Sequence, residues 1–174
     1  MYISISEILP DEQPALANLI KMYCYEWSQY NLFDVDEQGV YPFEKYVNLC
    51  FEKPKRYNNF IRVDGILAGF ALIDDDFAVS KESDYSMGEF FVMYKYRRFG
   101  VGKYAATYLF DRYPGKWEIG FHPNNTNSVK FWTNILNDYT HYNYTLHSNC
   151  TGLTYHDGSL GNVITFDNRD ICMK

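Results

Sequence analysis

At 174 residues the chain is long enough to bury a sizeable core and short enough to be read as one domain over residues 1–174. With 47% hydrophobic, 22% charged and 19% aromatic residues it is not a disordered chain, and a net charge of −6 with a pI near 5.1 excludes general nucleic-acid binding, which needs a basic footprint. No apolar run approaches the roughly 18 residues of a membrane span, and the N-terminus lacks the basic and apolar regions of a signal peptide, so a cytoplasmic protein with no membrane partner and with reduced thiols is expected.

Tyr2 to Ile8 alternates as Ile3-Ser4-Ile5-Ser6, the period of a half-buried strand. Pro10-Asp11 then supplies a stop and a cap, and Leu16, Leu19, Ile20, Tyr23 and Trp27 recur at helical spacing, so a helix follows and fades near Gln29. Tyr30 to Tyr41 reads as a loop holding Asp34, Asp36, Glu37 and Gly39, and Pro42 opens a second helix to about Glu52. Asn59–Val63 and Ile66–Ile73 are strand-like, and Asp64-Gly65 between them has the residues of a type I′ hairpin turn. Asp74-Asp75-Asp76 reads as a solvated strand end, and a polar loop leads to a third strand, Tyr85–Val92.

The stretch from Glu89 to Trp132 says most about function. Its strand is followed by Tyr94-Lys95-Tyr96 and then by Arg97-Arg98-Phe99-Gly100-Val101-Gly102-Lys103 at the entrance of a helix. Two glycines there let backbone N–H groups approach a ligand, and the helix dipole favours an anion such as a diphosphate. Arg97, Arg98 and Lys103 suit the same charge. A Walker A loop is excluded, because it needs a glycine where Arg97 stands and Lys-Ser/Thr after the last glycine. Gly100-Val101-Gly102-Lys103-Tyr104-Ala105 does fit the dinucleotide pattern G-x-G-x-x-A, with Glu118 near the spacing of a ribose-binding acid, but a dinucleotide fingerprint starts directly at the strand end and here a basic, aromatic connection intervenes. A plain strand-to-helix turn is the third possibility.

The helix carries Val101, Ala105, Tyr108 and Leu109 as its apolar stripe and ends at Pro114-Gly115. Trp117–Phe121 is a short strand that should lie parallel to Tyr85–Val92 after a helical crossover. A loop, His122-Pro123-Asn124-Asn125, precedes a helix over Ser128–Leu136; Tyr139–His147 places Tyr142, Tyr144 and Leu146 on one face, and Asn162–Asp167 is a last strand. Cys150–Gly161 has no assignment. Cys24, Cys50, Cys150 and Cys172 form no C-x-x-C pair, and extended chain would hold His141 and His147 about 20 Å apart, so no metal is expected.

The run Val92, Arg97, Gly100, Gly102 resembles the acetyl-CoA-binding motif Arg/Gln-x-x-Gly-x-Gly/Ala of the GCN5-related N-acetyltransferase (GNAT) superfamily, and Asn125, Ser128, Phe131 and Trp132 match a second motif of that family in the right order. The resemblance implies an α/β fold, a mixed sheet of about seven strands with four helices, and an acetyltransferase that uses acetyl-CoA as cosubstrate. It also implies that the backbone at Phe91, Val92 and Met93 takes the pantetheine arm. The diphosphate would fall to Arg97, Arg98, Phe99, Gly100, Val101, Gly102 and Lys103, and Asn125, Ser128 and Trp132 would complete the cofactor site. Glu89, on the cofactor strand, is the candidate base, while Trp132 stands where relatives often carry the tyrosine that protonates the leaving thiolate; an indole cannot do that. Tyr30, Phe33, Asp34, Asp36 and Glu37 form an acidic, aromatic candidate for binding the acceptor, expected to be a small, cationic primary amine, in a monomer or homodimer. A non-catalytic CoA-binding protein of the same fold, or a Rossmann module, is the alternative.

Overall fold

Asp64 and Gly65 turn the chain with φ of 50° and 80°, the two left-handed residues of a type I′ turn. That turn sets β2 (Tyr57–Val63) against β3 (Ile66–Asp74), and the pairing spreads to β1 (Ile3–Glu7) on one side and β4 (Tyr85–Val92) on the other, all antiparallel. After α3 (Val101–Arg112) the chain returns as β5 (Lys116–Phe121), parallel to β4 as the crossover requires. The hairpin β6 (Thr145–Thr154) and β7 (Leu160–Asp167) then completes one seven-stranded sheet, in the order β1-β2-β3-β4-β5-β7-β6. The computed structural model describes residues 1–172, the side chain of residue 44 excepted; the last two residues of the expected domain lie outside these.

Both faces of the sheet are covered, because both present apolar side chains. On one, α1 (Gln13–Asn31) and α2 (Glu44–Glu52) bury Leu16, Ile20, Cys24 and Val47 against Phe60, Phe70, Leu72 and Phe91. On the other, α3 and α4 (Thr126–Tyr139) bury Leu109, Phe110, Trp132 and Leu136 against Met87, Trp117, Ile119 and Ile164. Among the described residues there are five helices rather than four; the extra one, α5 (Arg169–Cys172), is a single turn.

Several segments differ from the sequence reading; Tyr139–His147, for one, is divided between the end of α4, a turn with His141 and Tyr142 at positive φ, and the start of β6. Cys150–Gly161 contains the end of β6, a tight turn and the start of β7, and β6 is mostly exposed, so it has little of the apolar alternation by which a strand is recognised. Asp74 is not a solvated strand end: its side chain is 6% exposed and accepts from Arg56 Nη1 at 2.6 Å, while Asp76 accepts from Arg56 Nη2 at 2.5 Å. Burial pushes the Asp74 carboxyl above its ordinary range, and Arg56 opposes that only in part. Between Leu72 and Ile73 of β3, β4 carries one extra residue: Leu72 faces Glu89 and Ile73 faces Met87, leaving Gly88 as a bulge.

Candidate active site

β4 and β5 stay together for only three pairs, Tyr85–Trp117, Ser86–Glu118 and Met87–Ile119, and then separate. Beyond that point the bulge at Gly88 bends β4 away, and a cavity of about 430 Å³ opens through the gap. On the α4 side it is lined by Phe90, Asn125, Ser128 and Trp132, and on the α1 and α2 side by Tyr23, Trp27, Phe43, Tyr46 and Tyr155. Glu89 stands between the two. Parting parallel strands leave backbone groups without a sheet partner, and an extended ligand chain could satisfy these from β4.

Glu89 keeps part of its surface open to the cavity, yet its carboxylate is surrounded by protein. Burial pushes the carboxyl up from 4.5 to about 7; the Tyr23 hydroxyl, which donates to Glu89 Oε2, pulls it back, and the charge of Asp74 pushes the other way. Tyr23 itself is driven well above the usual tyrosine range by burial and by Glu89, so it remains a donor. Such a carboxyl accepts a proton near neutral pH. Tyr23 is a residue that periodicity assigns to the core of α1; only the tertiary pairing with β4 gives it this place. Tyr155, whose ionisation burial also raises strongly, comes from the segment that had no assignment.

The residues expected to hold the cofactor behave differently from one another. Gly100 caps α3 with φ 80°, where a side chain would be strained, and no side chain caps that helix, so its first N–H groups remain available to an anion. Val101 is buried beneath them, whereas Phe99, Arg98 and Lys103 are exposed, Lys103 pairing with Asp138 at 2.5 Å. At Gly102 a Cβ would stand 2.9 Å from the ring of half-buried Phe131, which would have to shift to admit it. Arg97 is turned back on its own strand. Its Nε donates to the carbonyl of Val92 and its Nη2 to both oxygens of Glu26, with the guanidinium over the ring of Tyr94, so it braces the end of β4 against α1 and is not directed at a diphosphate. Phe91 packs its ring on Phe70 and Tyr23, and Met93 bonds back to β3 through its N–H to Ala68. Asn125 caps α4, its Oδ1 accepting from Ser128 N–H at 3.0 Å. Trp132, 4% exposed and packed on Phe90 and Phe131, forms the cavity wall as a core residue.

The family model of the acetyltransferase (GNAT) family matches residues 16–136, which is more than half of the chain. The chain belongs to the acetyltransferase (GNAT) family. It is an N-acetyltransferase by that membership, and the family's cosubstrate is acetyl-CoA. No curated protein sequence matches it. Among solved structures it is similar to an acetyltransferase from Thermus thermophilus, at 9% identity and a TM-score of 0.69 over 96% of this chain and 97% of the other. It is also similar to the PaiA N-acetyltransferase from Thermoplasma acidophilum in complex with coenzyme A (11% identity, TM-score 0.61, 96% and 99% covered). The ribosomal-protein-S18-alanine N-acetyltransferase from Escherichia coli is a further such structure (14%, TM-score 0.57, 94% and 92%). At these identities the likeness concerns the fold.

In this GNAT chain Glu118 does not serve a ribose. It is 2% exposed and accepts from the N–H groups of Ala78, Val79 and Ser80 and from Ser83 Oγ, which clips the β3–β4 loop onto β5. The acceptor candidates at and after the end of α1, which runs on through Tyr30 to Asn31, are not brought to the cavity. Tyr30 leans on His122, Phe33 packs among Tyr41, Phe43 and His156, and Asp36 folds its own turn by accepting from the N–H groups of Gln38 and Val40. Asp34 and Glu37 do not line the cavity either. Among the described residues no helix is long and apolar enough to cross a membrane, and no three His, Cys, Asp or Glu side chains converge as a metal would need.

Proposed function

We propose that this enzyme, working as a single domain, transfers the acetyl group of acetyl-CoA to a primary amine of a small cationic molecule, with Glu89 as the proton acceptor. The observation that carries the reading is Glu89 itself, a carboxylate in the wall of an aromatic cavity, held by Tyr23 and accepting a proton near pH 7. The cofactor supplies an activated acyl thioester. The uncapped N-terminus of α3, the unpaired side of β4 and the amide of Asn125 fit the diphosphate and the pantetheine chain, and Arg98 and Lys103 add positive charge at the surface. An amine arrives as an ammonium ion. Glu89 takes its proton, the freed nitrogen forms the bond to the acyl carbon and gives up a second proton to solvent, and the carbon–sulfur bond breaks, leaving a thiolate that solvent protonates.

A cationic acceptor is supported by what surrounds the other end of the cavity. Asp74 and Asp76 line it together with Glu89, and Arg56 supplies one positive charge against those carboxylates. The rings of Tyr23, Trp27, Phe43, Tyr46 and Tyr155 offer faces to an alkylammonium chain. The exposed carboxylates Asp36 and Glu37 add to the negative field at longer range, since no Lys or Arg lies between Lys21 and Lys45. A protein N-terminus is the competing substrate, and the Escherichia coli neighbour is named for an alanine of ribosomal protein S18.

A thiol-release assay with acetyl-CoA against diamines, polyamines, aminoglycosides, neutral amines and short peptides tests both halves. Small cationic amines should give the highest kcat/KM, rising with pH through about 7. Glu89→Gln should bind acetyl-CoA as before and lose about 10²–10⁴ in turnover. Preference for peptides, or full turnover by Glu89→Gln, would overturn the acceptor class or the base respectively. Binding of acetyl-CoA with no thiol release from any amine would favour a non-catalytic CoA-binding protein.

A further inference from the structure

We propose that Tyr23 is a positioning residue for Glu89: its hydroxyl, carried in by α1, fixes the direction of the carboxylate across the cavity and holds it as the ionised base. The inference rests on reading Glu89 as that base. Tyr23 reaches Glu89 across 66 positions of sequence, and its ring has little freedom. It is wedged edge-on against Phe70 of β3 and Phe91 of β4, at centroid distances of 5.8 and 5.9 Å, and stacked on Trp27 one helical turn along α1 at 6.2 Å. A ring clamped on three sides delivers its hydroxyl to one point, and that point is Glu89 Oε2. Phe91 stands two residues after Glu89 on the same face of β4, so the strand that carries the carboxylate also builds the socket for the tyrosine.

Every titratable group that faces Glu89 can be sorted by its effect. From α1 come Tyr23 and Cys24, from α2 Tyr46 and Cys50, from the end of β3 Asp74 with its partner Arg56, and from the β6–β7 turn Tyr155. Desolvation and Asp74 oppose the ionised carboxylate, whereas the Tyr23 hydroxyl favours it most among the hydrogen-bonding groups, with Tyr46 second. The two thiols are themselves pushed up, Cys24 to about 12 and Cys50 to about 11, and stay neutral beside it. Tyr23 cannot be a proton carrier at neutral pH, because burial and Glu89 hold its own proton tightly. Its part is that of a fixed donor.

The test compares wild type, Tyr23→Phe, Tyr155→Phe and Glu89→Gln. Tyr23→Phe keeps the wedged ring and removes only the oxygen, so circular dichroism melts should show a folded protein in each case. With glutamate labelled by ¹³C at the carboxyl, the Glu89 resonance is the one missing from Glu89→Gln, and its titration midpoint is read directly in the protein without any substrate. The midpoint should rise in Tyr23→Phe and stay in place in Tyr155→Phe. In parallel, the acid limb of kcat/KM for 1,4-diaminobutane should move up by the same interval, and activity on the acid side of the limb should fall about tenfold for each pH unit of movement. An unmoved Glu89 midpoint in Tyr23→Phe, or a moved midpoint with a kinetic limb that does not follow while Glu89→Gln has lost it, would overturn the positioning role. Unimpaired turnover by Glu89→Gln would instead remove the base reading on which it rests.

Discussion

At the scale of single residues, Glu89 works against the fold that holds it. Its carboxyl moves from 4.5 in an open chain to about 7 in the native protein, so between these values the folded state binds more protons than the unfolded one. For an acid raised in this way the native state is most favoured below pH 4.5, and stability is lost as pH climbs towards 7. Glu89→Gln removes the ionisation. The variant should therefore be more stable than wild type at pH 8, by on the order of 3 kcal/mol, with the advantage shrinking as pH falls to 5. Chemical denaturation at the two pH values measures this, and an equal or lower stability at pH 8 would mean that the carboxylate is better solvated than its surroundings indicate. A residue that destabilises its own protein at working pH is retained for something other than stability.

Among elements, the strut below the cavity is Arg56, which ties the segment before β2 to the end of β3. Its side chain is 7% exposed, bonds Asp74 and Asp76, and leaves Nε buried with no partner among the described residues. Arg56→Met should cost about 3–5 kcal/mol, because it strands the Asp74 carboxylate away from water, and a second change, Asp74→Leu, should restore much of the loss. Urea midpoints of the two variants decide the point, and a double variant no better than the single one would assign the loss to packing. This could not be read from Asp74-Asp75-Asp76, since three adjacent carboxylates look alike until Arg56, 18 residues before the first, picks out two of them. What could be read was local or strongly periodic. The type I′ turn follows from Asp64-Gly65, the helix α1 from its apolar stripe, and the parallel return of β5 from the crossover that precedes it. At Gly102 the sequence pointed to a ligand, and the ring of Phe131, reaching it from α4, is a neighbour that local sequence does not show. Tyr23 and Tyr155 escaped for opposite reasons: one matched a core pattern too well, and the other lay on a turn with no pattern at all. The loop carboxylates Asp34, Asp36 and Glu37 were read as a site from their charge, the aromatic residues among them and their place between the first two helices, and none of these says which way a loop folds.

For the whole molecule, the net charge of −6 acts on whatever approaches it. The screening length falls from about 30 Å at 0.01 M salt to about 10 Å at 0.1 M, so attraction from the carboxylates beyond the cavity fades over that range while contacts within it persist. The KM for a diamine should rise with salt, that of a neutral amine should stay level, and kcat should be little affected for either. A diamine KM indifferent to salt would confine its recognition to the cavity wall.

The bulge at Gly88 has one more consequence. Side chains of a regular strand point alternately to its two sides, so Tyr85, Met87, Glu89 and Phe91 would all share one side if β4 were regular. They do not: Tyr85 and Met87 belong to the core under α3 and α4, Glu89 bonds Tyr23 of α1, and Phe91 lies in the core under α1 and α2. One inserted residue has changed the phase of the strand halfway along, and everything after it is turned over. Deleting Gly88 would set Glu89 directly after Met87 and leave it on the α1 side, whereas drawing Gly88 into a regular ladder would send the carboxylate and Phe91 to the α3 and α4 side and bring Phe90 round to meet Tyr23. The position of the base in this protein is thus a matter of counting, odd or even, and whether one residue is left out of the ladder decides on which side of the sheet the proton can be taken.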